Sequence, residues 1–587
     1  MTLFKFNSEF LRRVTTAAMV LFIGATSLLG CMEADALLGT DFVPEEQKMR
    51  FGTTEFNSLN DGVEYFQTRL FISDSITTSN QSYLYMGAMH SDTFGMRTSG
   101  FYVQYTPSMF LDSAFFGYLP IIDSAILLIS MADYIGDTTY VQDYEVFAIV
   151  DDSFIDGSVD SVFFGMSVNG AQPLFDIENY IDESDPIFTF KFPDQDNDVY
   201  TDATYVRLQE TSSGRQFMRE LLFLDDDGGY KIDTDYDGDG QIDTADIREI
   251  YETFDFWLDK FKGLYVRPTS TPTASGYQGA MYASDILYSG FTIMGRSLEE
   301  EDIEIVKDTV GMVYYFYPME DISDVDDDTG LYGGELSINN ITHDYSTSKF
   351  FNYEQDVLVG SEADKESVGT VSTVFIEGMG GIVSQLTLNK EIFLKLDTIL
   401  DDEYASSGDE FESLFFNQAV LKIYLTKNTG VESNYLNIDP LTITPWLNSA
   451  PTQLGLYTKY TAFYDDDEYY TLTGIGDYYY YYEQLGYDIG FDGALNRNWG
   501  CYSFNIPSQL EMAWNSFLTA KEAANNVVDD INWDDVEYRD IYIAPAYYEL
   551  YSLKNVALQT MTWNEGGSLI EDNNVPMELS LTYTMID

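Results

Sequence analysis

Short runs in which apolar and polar residues alternate recur along most of this chain. Ile121 to Ser130, Tyr140 to Val150, Val371 to Glu377, Val420 to Leu425 and Leu579 to Met585 are rich in β-branched and aromatic residues. So is Phe101-Tyr-Val-Gln-Tyr105, and the runs are bounded by Gly, Asn, Asp and Ser. A period of two in such residues predicts half-buried strands. Two segments depart from it. Ser213–Leu264 has helical spacing on both sides of an acidic stretch. In Ser508–Val528, Leu510, Ala513, Trp514, Phe517, Ala520 and Ala524 recur three or four apart, which predicts a helix. Ser508 is placed to cap it, with Glu511 three residues on as a capping box.

The pattern also echoes itself. Ile122-Asp-Ser-Ala-Ile-Leu-Leu-Ile129 resembles Phe416-Asn-Gln-Ala-Val-Leu-Lys-Ile423, with Ala125 matching Ala419, Leu127 matching Leu421 and Ile129 matching Ile423. Two domains that use the same strand in the same place would give this. The predicted fold is therefore mainly β. It has two β-sandwich, jelly-roll-like domains at 51–212 and 265–587, a small helical insertion at 213–264 between them, and a helix near 508–528.

The start of the chain reads differently. Lys5, Arg12 and Arg13 precede an apolar run from Ala17 to Gly30 that ends Leu28-Leu29-Gly30-Cys31. The run has the length of a signal-peptide core and is too short to span a bilayer comfortably. Small or apolar residues directly before a cysteine resemble the lipobox of bacterial lipoproteins. On this reading residues 1–30 are removed, Cys31 is acylated, and 31–50 tether the protein to membrane lipid. Several acyl chains make a durable anchor, since each buried methylene adds roughly 0.8 kcal/mol. Glu33 and Asp35 stand close behind the cysteine. Acidic residues there resemble the surface-export signal of Bacteroidota lipoproteins, so the expected location is the outer membrane, at the cell surface rather than the periplasmic face.

Composition narrows the partners. Asp and Glu number 98 against 29 Lys and Arg, a net charge of −69. Such a chain is repelled by phosphate backbones, which argues against nucleic acid, and its acidity favours divalent cations. Hydrophobic residues make up 45%, enough to bury real cores. Cys501 is the only cysteine besides Cys31, so an acylated Cys31 leaves no disulfide within the chain. Cys501 is expected to be a small buried residue. Tyr is abundant at 46 residues, and a run from Tyr478 to Tyr482 follows Gly474-Ile-Gly-Asp477. One reading is a strand with alternate rings in and out. The other is an exposed aromatic surface of Tyr478, Tyr480 and Tyr482 for a glycan or a protein partner.

One motif is chemically specific. Residues 235–246 read Asp-Tyr-Asp-Gly-Asp-Gly-Gln-Ile-Asp-Thr-Ala-Asp. Asp235, Asp237 and Asp239 take the first, third and fifth positions of an EF-hand-like calcium loop, and Gly240 the sixth, where the chain turns sharply. The carbonyl of Gln241 is seventh, Asp243 ninth, and Asp246 twelfth, closing the shell with a carboxylate. Ile242 is the apolar eighth residue, expected to point into the core. Alternate side chains of a curled loop converge on one centre, and calcium takes six to eight hard oxygens. Arg215 to Phe223 is expected to be the incoming helix. Ile247, Ile250, Phe254, Leu258 and Phe261 form the stripe of the outgoing one. The loop resembles a single dockerin repeat more than a regulatory EF-hand, and a structural Ca2+ is expected. Asp194-x-Asp-x-Asp198 and Asp324-x-Asp-x-Asp328 echo it without the sixth-position Gly.

Signs of catalysis are sparse. His90 and His343 lie far apart, and there is no His-Glu-x-x-His, no Gly-x-Ser-x-Gly and no phosphate loop. A pair of carboxylates could serve a secreted-type glycoside hydrolase, but among 98 acidic residues any pair can be found. The reading is a non-catalytic protein.

Several segments together resemble the Bacteroidota lipoproteins of domain-of-unknown-function family 4270. They are Met86-Gly-Ala-Met-His-Ser-Asp-Thr-Phe-Gly-Met-Arg97, Ile122-Asp-Ser-Ala125 with Gly136-Asp-Thr-Thr139 and Tyr144-Glu-Val-Phe147, Phe261-Lys-Gly-Leu-Tyr-Val266, Phe375-Ile-Glu-Gly-Met-Gly-Gly381 and Asn417-Gln-Ala-Val-Leu421. The resemblance implies an outer-membrane lipoprotein built from β domains, and brings no activity and no functional residues. Two functions are expected from these features. One is an interaction or assembly protein accompanying an outer-membrane protein. The other is a surface glycan-binding lipoprotein.

Overall fold

A computed structural model describes residues 50–57, 61–72, 78, 81–107, 118–150, 166–168, 181–193, 204–225, 235, 238–242, 246, 261–269, 271–272, 278–298, 309–318, 337–349, 352–359, 370–371, 373–408, 411–425, 450–459, 464–465, 468–469, 473–474, 492–496, 501–546, 552–559 and 577–586. The protein is mainly β, with large curled antiparallel sheets.

Two strands lead the chain, β1 (Arg50–Asn57) and β2 (Phe66–Ile72). Then come β3 (Tyr83–Ser91), β4 (Gly95–Val103), β5 (Tyr105–Pro107), β6 (Tyr118–Ile129), β7 (Met131–Gly136), β8 (Gln142–Ala148), β9 (Met166–Val168), β10 (Phe188–Phe192), β11 (Thr204–Glu210) and helix α1 (Ser212–Leu221). β12 (Leu264–Pro268), β13 (Gln278–Asp285), β14 (Gly290–Leu298), β15 (Thr309–Pro318) and β16 (Ser337–Asp344) follow. The rest comprises α2 (Tyr353–Asp356), β17 (Val357–Val359), β18 (Thr373–Glu377), β19 (Val383–Leu388), α3 (Lys390–Ser407), β20 (Ser413–Leu425), β21 (Leu454–Lys459), β22 (Tyr464–Asp465), β23 (Glu468–Tyr469), β24 (Thr473–Gly474), β25 (Asp492–Asn496), β26 (Cys501–Asn505), α4 (Pro507–Ala523), β27 (Asp540–Pro545), β28 (Asn555–Gln559) and β29 (Glu578–Ile586).

The first unit is one connected sheet in the order β5-β15-β14-β6-β11-β10-β8-β12-β4-β3-β13-β7, with β16 beside β4. The second is a sheet β1-β29-β20-β26-β25, with β18 and β28 joined to it, and a sheet β17-β2-β19-β27-β21-β24. These pairings cut across the boundaries expected from sequence. β1 and β2 lie before the 212 boundary, yet they pair with β29 and β19 of the second unit. β12 to β16 lie at or after residue 264, yet they complete the first. Alternation tells which face of a strand is buried; it carries no information on which distant strand supplies the partner.

Alternation does set the core. In β6, Ala125, Leu127 and Ile129 are buried, and in β20, Ala419, Leu421 and Ile423 are. Each set packs in its own unit's core, the first with Phe188, Phe291 and Met218 of α1, the second with Phe393 of α3 and Trp514 and Phe517 of α4. The stripe predicted for the helix near 508–528 is the buried one: Leu510, Ala513, Trp514, Phe517 and Ala520 all face the core. Its start differs from expectation. Ile506 is the N-cap, without a side-chain cap hydrogen bond, and Pro507 opens the first turn. Proline fits there because that N–H has no helical partner anyway. Glu511 reaches the Phe416 N–H at 3.3 Å instead of closing a capping box. The incoming helix expected at Arg215–Phe223 is α1, three residues earlier, capped by the Thr211 side chain.

Helix α3 was not anticipated among the strands. Asn389 caps it, Glu391 lies in its first turn, and Ile392, Phe393, Leu396 and Leu400 are buried. Gly408 ends it at φ 79°, a left-handed conformation that favours glycine. These cap and stripe residues were available in the sequence.

Candidate functional site

Two concentrations of charge stand out. The first is the acidic loop. Asp235, Asp239, Gln241 and Asp246 of the expected calcium set lie in the described residues; Asp237 and Asp243 lie outside them. The Asp235 carboxylate accepts from the Gly238 N–H at 2.8 Å and the Gly240 N–H at 2.9 Å. Asp239 accepts from the Gln241 N–H at 2.7 Å. Gly238 and Gly240 have φ of 73° and 86°, with nothing near a hypothetical Cβ, so backbone conformation rather than space selects glycine. The result is a tightly curled loop of oxygen donors. Asp246 is buried while the rest of the loop's described residues are exposed. Ile242 is not in the core as expected: it is 54% exposed. An EF-hand's eighth residue finds its apolar surroundings beside a second loop, and this motif occurs once. Among the described residues no group of three His, Cys, Asp or Glu stands close enough to hold a metal. Asp237 and Asp243 are not among those residues.

The second concentration has no counterpart in the sequence reading. Arg97 on β4, His343 on β16, Tyr345 just past it and Glu377 at the end of β18 meet in the interior, each at most 2% exposed. Arg97 Nη1 is 3.4 Å from Glu377 Oε1, and Arg97 Nη2 donates to the Leu553 carbonyl at 3.0 Å. Its Nε lies 3.1 Å from Met281 Sδ. Tyr345 donates to Glu377 Oε2 at 2.9 Å. His343 Nδ1 is 3.4 Å from that same oxygen, and Nε2 is 3.1 Å from the Met379 carbonyl. Its ring stacks on Tyr345 at 5.6 Å.

A tight turn delivers two of these groups. Met379 and Gly380 both have positive φ, 58° and 72°, which aims the Met379 carbonyl at His343. Gly381 has no room for a side chain, because a Cβ there would stand 2.4 Å from Glu377 Oε2. Burial alone would push the Glu377 carboxyl up. His343, Arg97 and the Tyr345 hydroxyl together outweigh it and hold the carboxyl below its usual range.

The cluster sits where the two units meet. Arg97 and His343 belong to the first, Glu377 and Leu553 to the second. Tyr85, Met89, Ile135, Met281 and Ile341 of the first unit pack there on Met379 and Leu553 of the second. Lys554 adds a bridge to Asp133 at 3.0 Å. What this arrangement does physically is fix the two units in one register, since a buried ion pair tolerates little displacement.

The remaining expected residues are quickly placed. His90 is buried, with Nε2 3.1 Å from Thr347 Oγ1. Cys501 is buried, and burial pushes its thiol up. Cys31, Tyr478, Tyr480 and Tyr482, the two weaker acidic echoes, and Ile247 to Leu258 lie outside the described residues. No helix among the described residues is long and apolar enough to cross a membrane. Comparison with protein-family models, with curated proteins and with solved structures found no significant match.

Proposed function

We propose that this protein is a lipid-anchored outer-membrane lipoprotein of the kind that family 4270 represents. It acts without catalysis as an interaction or assembly subunit, and it carries a structural Ca2+. The observation that carries the reading is the basic, apolar, small-residue sequence that ends at Gly30-Cys31. The β architecture agrees with it, and so does a firmly joined pair of units, which offers a partner one rigid surface. Asp235, Asp239, Asp246 and the Gln241 carbonyl would hold the ion, with Asp237 and Asp243. The curled loop, with its oxygens gathered by the Gly238 and Gly240 amides, supports that assignment.

The anchor is tested by mass spectrometry of the mature N-terminus. A triacylated or diacylated Cys31 is expected, and Cys31→Ala should release the protein from membranes. An unmodified Cys31 sinks the lipoprotein reading. Affinity isolation of the native protein from detergent-solubilised outer membranes, with calcium or with chelator, tests the assembly reading. A stoichiometric protein partner is expected; isolation of the protein alone under both conditions overturns it.

A further inference from the structure

The two units are more alike than the echo at Ala125 and Ala419 foretells. β6 pairs with β14 through a bulge that skips Asp123, and β20 pairs with β29 through one that skips Asn417. These are equivalent positions of the echoing segments. Bulges are placed features of a strand rather than accidents. On the other side, β6 takes β11 and β20 takes β26, and each of these strands runs straight into a helix, α1 or α4. Val206 and Leu208 are buried in β11 as Phe504 and Ile506 are in and after β26.

The agreement continues strand by strand. β12 reads Leu264-Tyr-Val-Arg-Pro268 and lies between β4 and β8. β27 reads Ile541-Tyr-Ile-Ala-Pro545 and lies between β19 and β21. β13 pairs with β3 and puts Ser284 opposite Met131, just after β6. β28 pairs with β18 and puts Leu558 opposite Leu425, at the end of β20.

Two edges break the sequence order. β14 is covered by β15, whereas β29 is covered by β1. β4 is covered by β16, whereas β19 is covered by β2. β16 and β2 even carry the same kind of further neighbour, a short parallel strand, β9 or β17. By position, then, β1–β2 and β15–β16 are the same strand pair. In chain order β1–β2 lead the first unit but complete the second, and β15–β16 lead the second but complete the first.

We propose that the chain is a tandem duplication whose two halves have exchanged their leading strand pairs, so that each half is finished by the other. The exchange is a conformational device. Neither half of the chain can unfold without withdrawing its leading two strands from the unit built mainly by the other half, and the buried Arg97–Glu377 junction forms only when both units are complete. The whole protein therefore behaves as one cooperative body despite its two cores.

The test uses the full chain with Cys31→Ser and Cys501→Ser, and a specific protease site placed between Leu298 and Thr309. That cut separates the two sequence halves. Thr53 lies opposite Thr582 across β1 and β29, and Thr98 opposite Thr342 across β4 and β16, all partly or fully exposed. Facing residues of an antiparallel pair are within disulfide reach. In Thr53→Cys/Thr582→Cys, and separately in Thr98→Cys/Thr342→Cys, oxidation followed by cleavage should leave the two pieces covalently joined on a denaturing gel, until reductant frees them. If each half keeps its own leading strands, Thr53 faces Met294 instead. Then Thr53→Cys/Met294→Cys forms the bond, the two exchange pairs do not, and the pieces part, which overturns the proposal. Bonding of Thr53→Cys/Thr582→Cys between two copies, seen as a doubled mass before cleavage, overturns it too.

Discussion

The acidic loop and the buried junction both concentrate charge, and they do so in opposite ways. In the loop, Asp235 and Asp239 stand in water and are held by backbone amides a few residues away. At the junction, Arg97, His343 and Glu377 are out of water and are held by groups from distant strands, 36 residues separating His343 from Met379 and 456 separating Arg97 from Leu553. Solvent screens the first set, so its geometry is local. The second set has no solvent to fall back on. The Arg97 guanidinium and the Glu377 carboxylate are tolerable there only because each has the other.

The sharpest way to break this contrast is to remove one junction partner. Glu377→Gln should leave the Arg97 guanidinium uncompensated and cost about 3–5 kcal/mol in denaturant unfolding. Replacing Arg97 and Glu377 together with leucine and methionine should cost clearly less than the sum of the single changes, because the pair then leaves together. Additive losses would show that the two charges do not depend on each other.

Acid titration follows from the same site. The Glu377 carboxyl is held below its usual range in the folded protein. Its contribution is therefore fully present above the ordinary glutamate range and is lost as pH falls through the lower folded value. Stability of the wild type should drop on acidification below that range, and Glu377→Gln should show a shallower drop. Equal slopes would mean that Glu377 is not held low.

The loop predicts the reverse behaviour toward a ligand. Calcium at about 100 times its Kd should raise stability by about 2.7 kcal/mol, and chelator should remove the gain. Asp235→Asn with Asp239→Asn should abolish the response while changing calcium-free stability by no more than about 0.5 kcal/mol. A calcium response that survives the double change would place the ion elsewhere.

The smallest effect is expected at an intermediate case. Lys521 of α4 bridges Asp397 of α3 at 2.6 Å, with the two side chains 20% and 9% exposed. Lys521→Met should cost roughly 1–2 kcal/mol, less than at the junction because this pair keeps some access to water. A loss as large as that of Glu377→Gln would remove burial as the explanation for the difference between the two.

How much of this was legible beforehand depends on the range of the interaction. The apolar face of α4 was readable from Leu510, Trp514 and Phe517, because a helix repeats within four residues. Its cap was misplaced because Pro507 and Ser508 both suit a helix start, and proline took the first turn. The loop's curl was readable from Asp235, Gly238 and Gly240. Ile242 was misjudged because its side chain needs a neighbouring element that the motif does not name. The Met379–Gly381 turn was visible only as three glycines within four residues after Glu377.

What the sequence by itself determined is the local grammar: strand faces, helix stripes, an oxygen-lined loop, and a mainly β protein. Tertiary structure decided the partners. It put β1 on β29, put β2 on β19, and brought Arg97 to Glu377. The reason is physical. A strand's periodicity fixes which side faces the core, but its backbone groups can pair with any edge of matching direction. Only the packing of both units at once selects among those edges.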